Sequence, residues 1–481
     1  MITWRPAAAL AAGAVVVPLL PAAQLLALIL AVTVLLLAAL DAALASPVRD
    51  VRLRREGATQ VRLDDTAEVA LIVTNTGVRR LHAEIRDAWV PSAGASPYAH
   101  HVELDPDETA RLVTRLRPTR RGDRPAVRVT VRSYGPLRFA YRQRGGRRAD
   151  AATPPWRLRV LPRFAARRFL PEKLARLRVI DGMLVTRGRG QGTEFDTLRE
   201  YVIGDDVRSI DWRASARRSD VIVRTWRPER DRRVLCVLDT GRTSAARVTT
   251  VLPASATQDV AVADTTDEAL AEHSRSRGLA EASTADEAPG ERTLDEPRLD
   301  AGIDAALLLA TLANRAGDRV DLLAIDTEVR ATVEGGTSRT LLPRLVNAMA
   351  SLQPALVETD FGLVAGEVLR RERKRALVVL FTALEAGALG EGLLPVLTQL
   401  TARHRVVVAA VRDPAVTELA ARRGDAAGVY AAAAAHRTLA ERDRLRAALT
   451  RHEVEVVDAP ADVFASEVAD MYLRMKAAGR L

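Results

Sequence analysis

The hydrophobic pattern changes period several times along the chain. From Ala7 to Leu40 no charged residue occurs, a run of 34 positions. As one straight helix this run would be about 51 Å long, against a hydrocarbon core of about 30 Å. Pro18 and Pro21 interrupt it and disfavour a continuous helix. The pattern predicts a transmembrane helical hairpin in residues 1–46, with arms at about 6–20 and 22–40 and its tip at the prolines. Residues 47–160 alternate instead. Val69–Val73 runs into the turn signal Asn75-Thr76-Gly77, and Arg111–Leu116 and Val127–Val131 switch between apolar and polar with a period near two. Short strands at this spacing predict a small β-sandwich-like domain. Residues 161–232 read as a basic, irregular connector. From 233 to 475 continuous apolar runs return at Val234–Leu238, Val320–Ile325, Ala376–Phe381 and Val406–Val411. Helical patterns near 300–316, 341–352, 362–373 and 391–403 separate them. That alternation predicts an α/β domain with a doubly wound, mainly parallel sheet.

Composition changes this picture in three places. Residues 249–297 carry eleven acids against three arginines and predict an acidic, disordered insertion after the first strand of the α/β domain. The whole chain has 71 Lys+Arg against 61 Asp+Glu, net charge +10. All but Lys173, Lys374 and Lys476 of these cations are arginines, and aromatics, at 4%, are not interleaved with the basic runs. A solvated arginine-rich surface therefore fits better than a nucleic-acid site. The single cysteine, Cys236, excludes an intrachain disulfide framework and a zinc site built on several thiolates. Arg5 precedes the apolar segment, and Arg49, Arg52, Arg54 and Arg55 follow it. The positive-inside rule then predicts a multi-pass plasma-membrane protein with its bulk in the cytoplasm and the lipid bilayer as a partner. The rival is a signal peptide cleaved near Ala43-Leu44-Ala45, although an apolar core of more than thirty residues is long for one.

Two segments carry candidate chemistry. Asp239 ends the first apolar strand and is followed by Thr240, Gly241, Arg242 and Thr243. Ligand sites in open α/β sheets lie at the carboxyl ends of strands. A carboxylate there, with hydroxyls two to four residues on, is one way to offer oxygens to magnesium. The alternative is an aspartate that caps the next helix. The second segment, Gly190 to Arg217, packs opposite charges around single Phe, Tyr and Trp residues. Asp205, Asp206, Arg208 and Asp211 have two readings: a buried ion network that docks the connector with Trp212 as apolar anchor, or a face that touches a partner. The first suits so tight a mixture of Asp, Arg and Trp.

The series Arg199, Tyr201, Gly204, Asp205, Asp206, Arg208, Ile210, Asp211, Trp212, Ala214, Ser215 and Ala216 resembles the signature of the bacterial domain of unknown function 58 family. Gly317-Asp318-Arg319-Val320, Thr359-Asp360 and His404 continue the match. The resemblance implies a von Willebrand factor A-like domain, membrane attachment, no catalytic residues, and a MoxR-type AAA+ ATPase as partner in protein maturation or envelope stress. It also implies that Asp239, Thr243 and Thr359 are the positions to test for a metal. Gly241 and Ala383 stand where that motif would have a serine and an aspartate. Tyr201, Gly204, Asp205, Asp206, Arg208, Asp211, Trp212 and Ser215 become the interaction candidates. An exported, metal-dependent adhesion module is the alternative, and a hydrolase using Asp239 lacks any Ser-His-Asp or Cys-His pattern.

Overall fold

The computed structural model describes residues 1–19, 21–143, 153–187, 194–202, 205, 207–217, 220–227, 232–252, 292–335, 340–423 and 425–481. They divide into two compact units, Met1–Arg163 and Phe164–Leu481.

The first unit begins with two apolar helices, α1 (Trp4–Val16) and α2 (Ala23–Leu44), joined by a short 3-10 turn, Val17–Leu19. They pack closely: a Cβ on Gly13 would fall 2.0 Å from the Leu30 side chain. Among the described residues one helix is long and apolar enough to cross a membrane, that starting at Ala23, with mean hydropathy 2.7. The 13 residues of α1 reach about 20 Å, short of the hydrocarbon thickness. The expected multi-pass hairpin is therefore corrected to one candidate span preceded by a short apolar helix. Ala45 and Ser46 are buried, and Arg79 Nη1 donates to Ala43 O at 2.6 Å. Of the small-residue stretch that resembled a cleavage site, Ala45 is buried, while Ala43 and Leu44 are exposed.

Ten strands follow: β1 (Val51–Gly57), β2 (Gln60–Arg62), β3 (Ala67–Asn75), β4 (Leu81–Trp89), β5 (Ala95–Ser96), β6 (Ala99–Leu104), β7 (Thr109–Leu116), β8 (Gly122–Tyr134), β9 (Tyr141–Gln143) and β10 (Arg157–Leu161). They form one sheet in the order β1-β3-β7-β5 and another in the order β2-β10-β8-β4-β6. The two sheets share an apolar cluster, to which Leu71 and Val73 contribute from the first and Ile85, Val102 and Val131 from the second. Along β4, Leu81, Ala83, Ile85, Asp87 and Trp89 all face inward, as a period of two requires. Asp87 lies between an apolar cluster containing Ile85 and another containing Trp89. Its carboxylate accepts from Arg55 Nη2 at 2.5 Å and Trp89 Nε1 at 3.0 Å. His100 lies on β6 and reaches Thr114 Oγ1 at 3.3 Å.

The second unit holds a six-stranded sheet in the order β17-β16-β13-β18-β19-β20. Its strands are β13 (Arg233–Asp239), β16 (Arg319–Ile325), β17 (Val329–Val333), β18 (Leu377–Phe381), β19 (Arg405–Arg412) and β20 (Glu455–Pro460). All neighbours are parallel except β16 and β17. The central strands read as unbroken apolar runs because helices cover both faces. Those helices include α3 (Leu170–Arg187), α5 (Arg298–Arg315), α6 (Leu341–Ala350), α7 (Phe361–Arg371), α8 (Leu394–Thr401), α9 (Pro414–Ala421), α10 (Ala426–Arg451) and α11 (Ala461–Ala477), with α4 (Trp212–Ser215) in the connector. Gly317 ends α5 at φ +78°, which lets Asp318 N bond back to Ala313 O and aims the chain into β16.

Two expectations are corrected. The connector is not irregular: α3 is an 18-residue helix docked on α11, with Lys173 Nζ 2.9 Å from both Asp470 oxygens and Arg176 Nη1 at 2.5 Å. The borders of the acidic insertion are not coil either. They pair as antiparallel strands β14 (Arg247–Leu252) and β15 (Arg292–Pro297), ending at Leu252 opposite Arg292. Residues 253–291 lie outside the described residues.

The amino end of the sheet is closed by buried polar groups. Asp318, just before β16, accepts from Tyr472 Oη at 2.5 Å and Lys476 Nζ at 3.2 Å, all three residues being buried. Burial pushes the Asp318 carboxyl above its ordinary value against the pull of Lys476. His404, before β19, is 2% exposed, and neither ring nitrogen has a hydrogen-bond partner. Burial, with a smaller contribution from Arg403, lowers its pKa.

Candidate functional site at the carboxyl end of the sheet

Strand order reverses at β13, which lies between β16 and β18. Open α/β sheets form their crevice at such a switch point. Asp239 stands there, 2% exposed, at the end of β13. Oδ1 accepts from Gly241 N at 2.8 Å and Thr359 Oγ1 at 2.5 Å. Oδ2 accepts from Thr243 Oγ1 at 3.2 Å and Thr382 Oγ1 at 2.5 Å. One carboxylate thus ties together the loops after β13 and β18 and the loop before α7. The structure brings Asp239, Thr243 and Thr359 together, as the resemblance implies, and adds Thr382. That residue follows an apolar strand directly, a signal that attention to Ala383 obscured.

A second carboxylate supports the first from behind. Asp326, after β16, accepts from Thr240 Oγ1 at 2.9 Å, Arg330 Nε at 2.7 Å and Thr327 N at 2.6 Å. Burial raises its pKa, but Arg330, Thr240 and the amides outweigh this and hold it below the ordinary carboxylate range. Across the mouth Arg298 pairs with Glu385, and Arg242 with Glu358 at 2.5 Å. A cavity of about 20 Å³, room for about one water, is walled by Thr243, Ser244, Arg298, Thr382 and Phe464.

This donor set does not fit a resident magnesium ion. A carboxylate has about four acceptor positions, and Asp239 has four donors on it. Gly241 cannot be the missing serine, because a Cβ there would lie 2.1 Å from Thr359 Oγ1 and 2.9 Å from Val357 O. Among the described residues no three His, Cys, Asp or Glu side chains are grouped to hold a metal. The cluster is a hydrogen-bonded hub that fixes three loops with neutral donors.

The signature segment lies apart from this hub. Strands β11 (Glu194–Glu200) and β12 (Ile222–Arg227) pair antiparallel. Between them Asp211 caps α4 through Arg213 N and Ala214 N, each at 3.0 Å, and binds Arg224 Nε at 2.8 Å. Ser215 Oγ donates to Asp211 O at 2.9 Å and accepts from Ile222 N at 2.8 Å. Asp205 binds Arg199 at 2.5 Å and Val202 N at 3.0 Å, while Tyr201 N donates to Val221 O. Arg199 first, and the Val202 amide second, hold the Asp205 carboxyl below its ordinary value; Arg224 and the Ala214 amide do the same for Asp211. Arg208 sits in the 3-10 turn Val207–Ser209. Gly204 and Asp206 lie outside the described residues. Asp205 and Asp211 each close an ion pair within the hairpin, with Arg199 and Arg224, and α3 makes contacts that dock the connector. Trp212, expected as a buried anchor, is 67% exposed, and Leu198, Val202, Val207 and Val221 are exposed too.

A sequence-family model described as "Protein of unknown function DUF58" matches residues 197–267 and 290–455. No curated protein matches the chain. Among solved structures, the CARDB domain of a Pyrococcus furiosus protein in complex with di-metal ions is 17% identical. That match covers 23% of this chain and 87% of that one, with a TM-score of 0.18. Native alpha-2-macroglobulin from Escherichia coli, from domain MG7 to the C-terminus, is 18% identical over 24% of this chain and 17% of that one, also at TM-score 0.18.

Proposed function

The chain belongs to the DUF58 family, and on that premise we propose that it is a membrane-anchored, non-enzymatic interaction protein that docks a partner through the β11–β12 hairpin. One observation carries this reading. Asp205, Asp211 and Ser215 are satisfied within the hairpin, and Ile222 and Val223 are buried, yet Trp212, Leu198, Val202, Val207 and Val221 face outward. Folding alone gives no reason to expose them together, whereas an exposed apolar patch with a polar rim is what a protein interface needs. Arg213 and Arg217, beside Trp212, are exposed and hold no ion pair among the described residues. They favour a partner with an acidic rim.

The partner we propose is a MoxR-type AAA+ ATPase, on the strength of the signature that the hairpin carries. The arginines at 49, 52 and 54, just after the candidate span, support a cytoplasmic bulk at the plasma membrane. The test is capture from detergent-solubilised native membranes with ATP present, using the full chain and Trp212→Ala. The expected result is an AAA+ ATPase recovered with the parent chain and lost with the variant. The two chains should melt alike, because exposed Trp212 contributes little to stability. Equal recovery with both would remove the hairpin as the docking element. Recovery of no ATPase by the parent chain would remove the partner assignment and favour an exported adhesion role.

A further inference from the structure

Both ends of the apolar segment close on one turn of the β-sandwich unit. Asp41, near the end of α2, is fully buried. Its carboxylate accepts from Leu137 N at 2.7 Å, Phe139 N at 2.7 Å and Ala140 N at 2.9 Å. From the other end, Thr3 N donates to Phe139 O at 2.9 Å and Thr3 Oγ1 to Arg138 O at 2.8 Å. The N-terminal ammonium donates to Tyr141 O at 3.0 Å, and Arg5 Nη1 to Leu137 O at 3.3 Å. Gly135 completes the clamp, since a Cβ there would lie 2.3 Å from Asp41 O. The helices and this turn form one hydrogen-bonded piece.

From Ala23 to Asp41 the rise is about 27 Å, close to the hydrocarbon thickness. If α2 spans, the clamp is therefore at the boundary between hydrocarbon and headgroups. What it exposes suits that place. Met1, Ile2, Trp4 and Leu137 are large apolar side chains turned outward, Trp4 at 75% exposure. Arg5 and Arg138 are exposed among them, Arg138 also reaching Glu103 at 3.7 Å. Tryptophan and arginine beside apolar side chains are the composition of an interfacial belt. The Asp41 carboxylate is withdrawn into three amides, where it does not repel acidic lipid, and Glu103 is matched by Arg138.

We propose that residues 1–5 and the 135–140 turn form a docking face for an anionic bilayer surface, with Trp4, Ile2 and Leu137 entering the headgroup layer and Arg5 and Arg138 meeting acidic headgroups. The proposal rests on α2 crossing the membrane, and it holds the β-sandwich unit against the leaflet. Its test uses the full chain in phosphatidylcholine vesicles with and without phosphatidylglycerol. An environment-sensitive fluorophore is attached at Leu137→Cys, at Leu35→Cys on α2, or at Val78→Cys, where the side chain is 92% exposed. Cys236 does not compete for the label, because it is buried and its thiol is pushed up to about 12. The expected result is a blue shift at 137, quenching by a headgroup-level spin-labelled lipid, and a larger effect with phosphatidylglycerol. Position 78 should remain in water. Asp41→Ala should release 137 from quenching and leave 35 quenched. A water-like signal at 137 with 35 quenched would overturn the docking face alone. A water-like signal at both would overturn the span and the docking face together.

Discussion

Two buried carboxylates at opposite ends of the six-stranded sheet, Asp318 and Asp239, are held in opposite ways, although Asp326 behind Asp239 keeps an arginine partner. At the amino end Asp318 is matched by the ammonium of Lys476 and the phenol of Tyr472, and Lys173 meets Asp470 nearby. At the carboxyl end Asp239 meets only three hydroxyls and an amide. An ion pair in a low-dielectric interior is costly to form and more costly to break from one side. It suits a seam that must stay shut, here the seam between α11 and its neighbours. Neutral donors give up less when they reorient. They suit an end where three loops meet to form the crevice.

The comparison breaks most visibly at the amino end. Lys476→Met should strand Asp318 without its cation and destabilise the second unit by about 3–5 kcal/mol, read by urea unfolding. If the loss is under about 1 kcal/mol, the seam is not held by this pair. At the carboxyl end Asp239→Asn puts an NH₂ where two donors point. The expected loss is about 1–3 kcal/mol. The parent melt should be the same in magnesium chloride and in chelator, because a hub already filled gains nothing from the ion. A magnesium-dependent rise in melting temperature that Asp239→Asn abolishes would restore the metal reading.

The smallest effect is a pH dependence. His404 has a lowered pKa in the folded chain, for reasons of burial. Below its ordinary value of about 6.5 the unfolded chain takes up a proton that the folded chain resists. Stability is therefore full above that value and falls as pH drops through the window beneath it, by at most about 1.4 kcal/mol per pH unit. His404→Leu, which sacrifices no side-chain hydrogen bond, should flatten that slope in unfolding curves at pH 5 and 7. An unchanged slope would assign it to other groups.

The legible parts of the fold are those where one physical signal dominates. Val234–Leu238, Val320–Ile325, Ala376–Phe381 and Val406–Val411 are all strands within a residue or two, because burial on both faces leaves no alternative to apolar side chains. Asp239 was legible as a strand-end residue of a crevice, and Thr359 only through the family resemblance. Helix α3 was not legible, since its buried face uses Lys173, which looks like a surface residue until Asp470, almost three hundred positions on, supplies the partner. Trp212 misled for the converse reason. Aromatic residues inside charged runs are usually core, and only the closure of Asp211 onto Ser215 and Arg224 turns this one outward. The second carboxylate, Asp326, follows the apolar run Val320–Ile325, and nothing in its neighbours forecasts that Thr240 binds it.

The β14–β15 ladder has a consequence for how this chain can change length. Leu252 and Arg292 sit opposite each other, so whatever connects them leaves and re-enters the domain at one doorway. Loop closure depends only logarithmically on length, with each doubling costing about 0.6 kcal/mol. A change in the number of residues between Leu252 and Arg292 is expected to cost the paired strands little. The doorway is a cassette port, at which an epitope, a fluorescent domain or a protease site can be spliced without retuning the sheet.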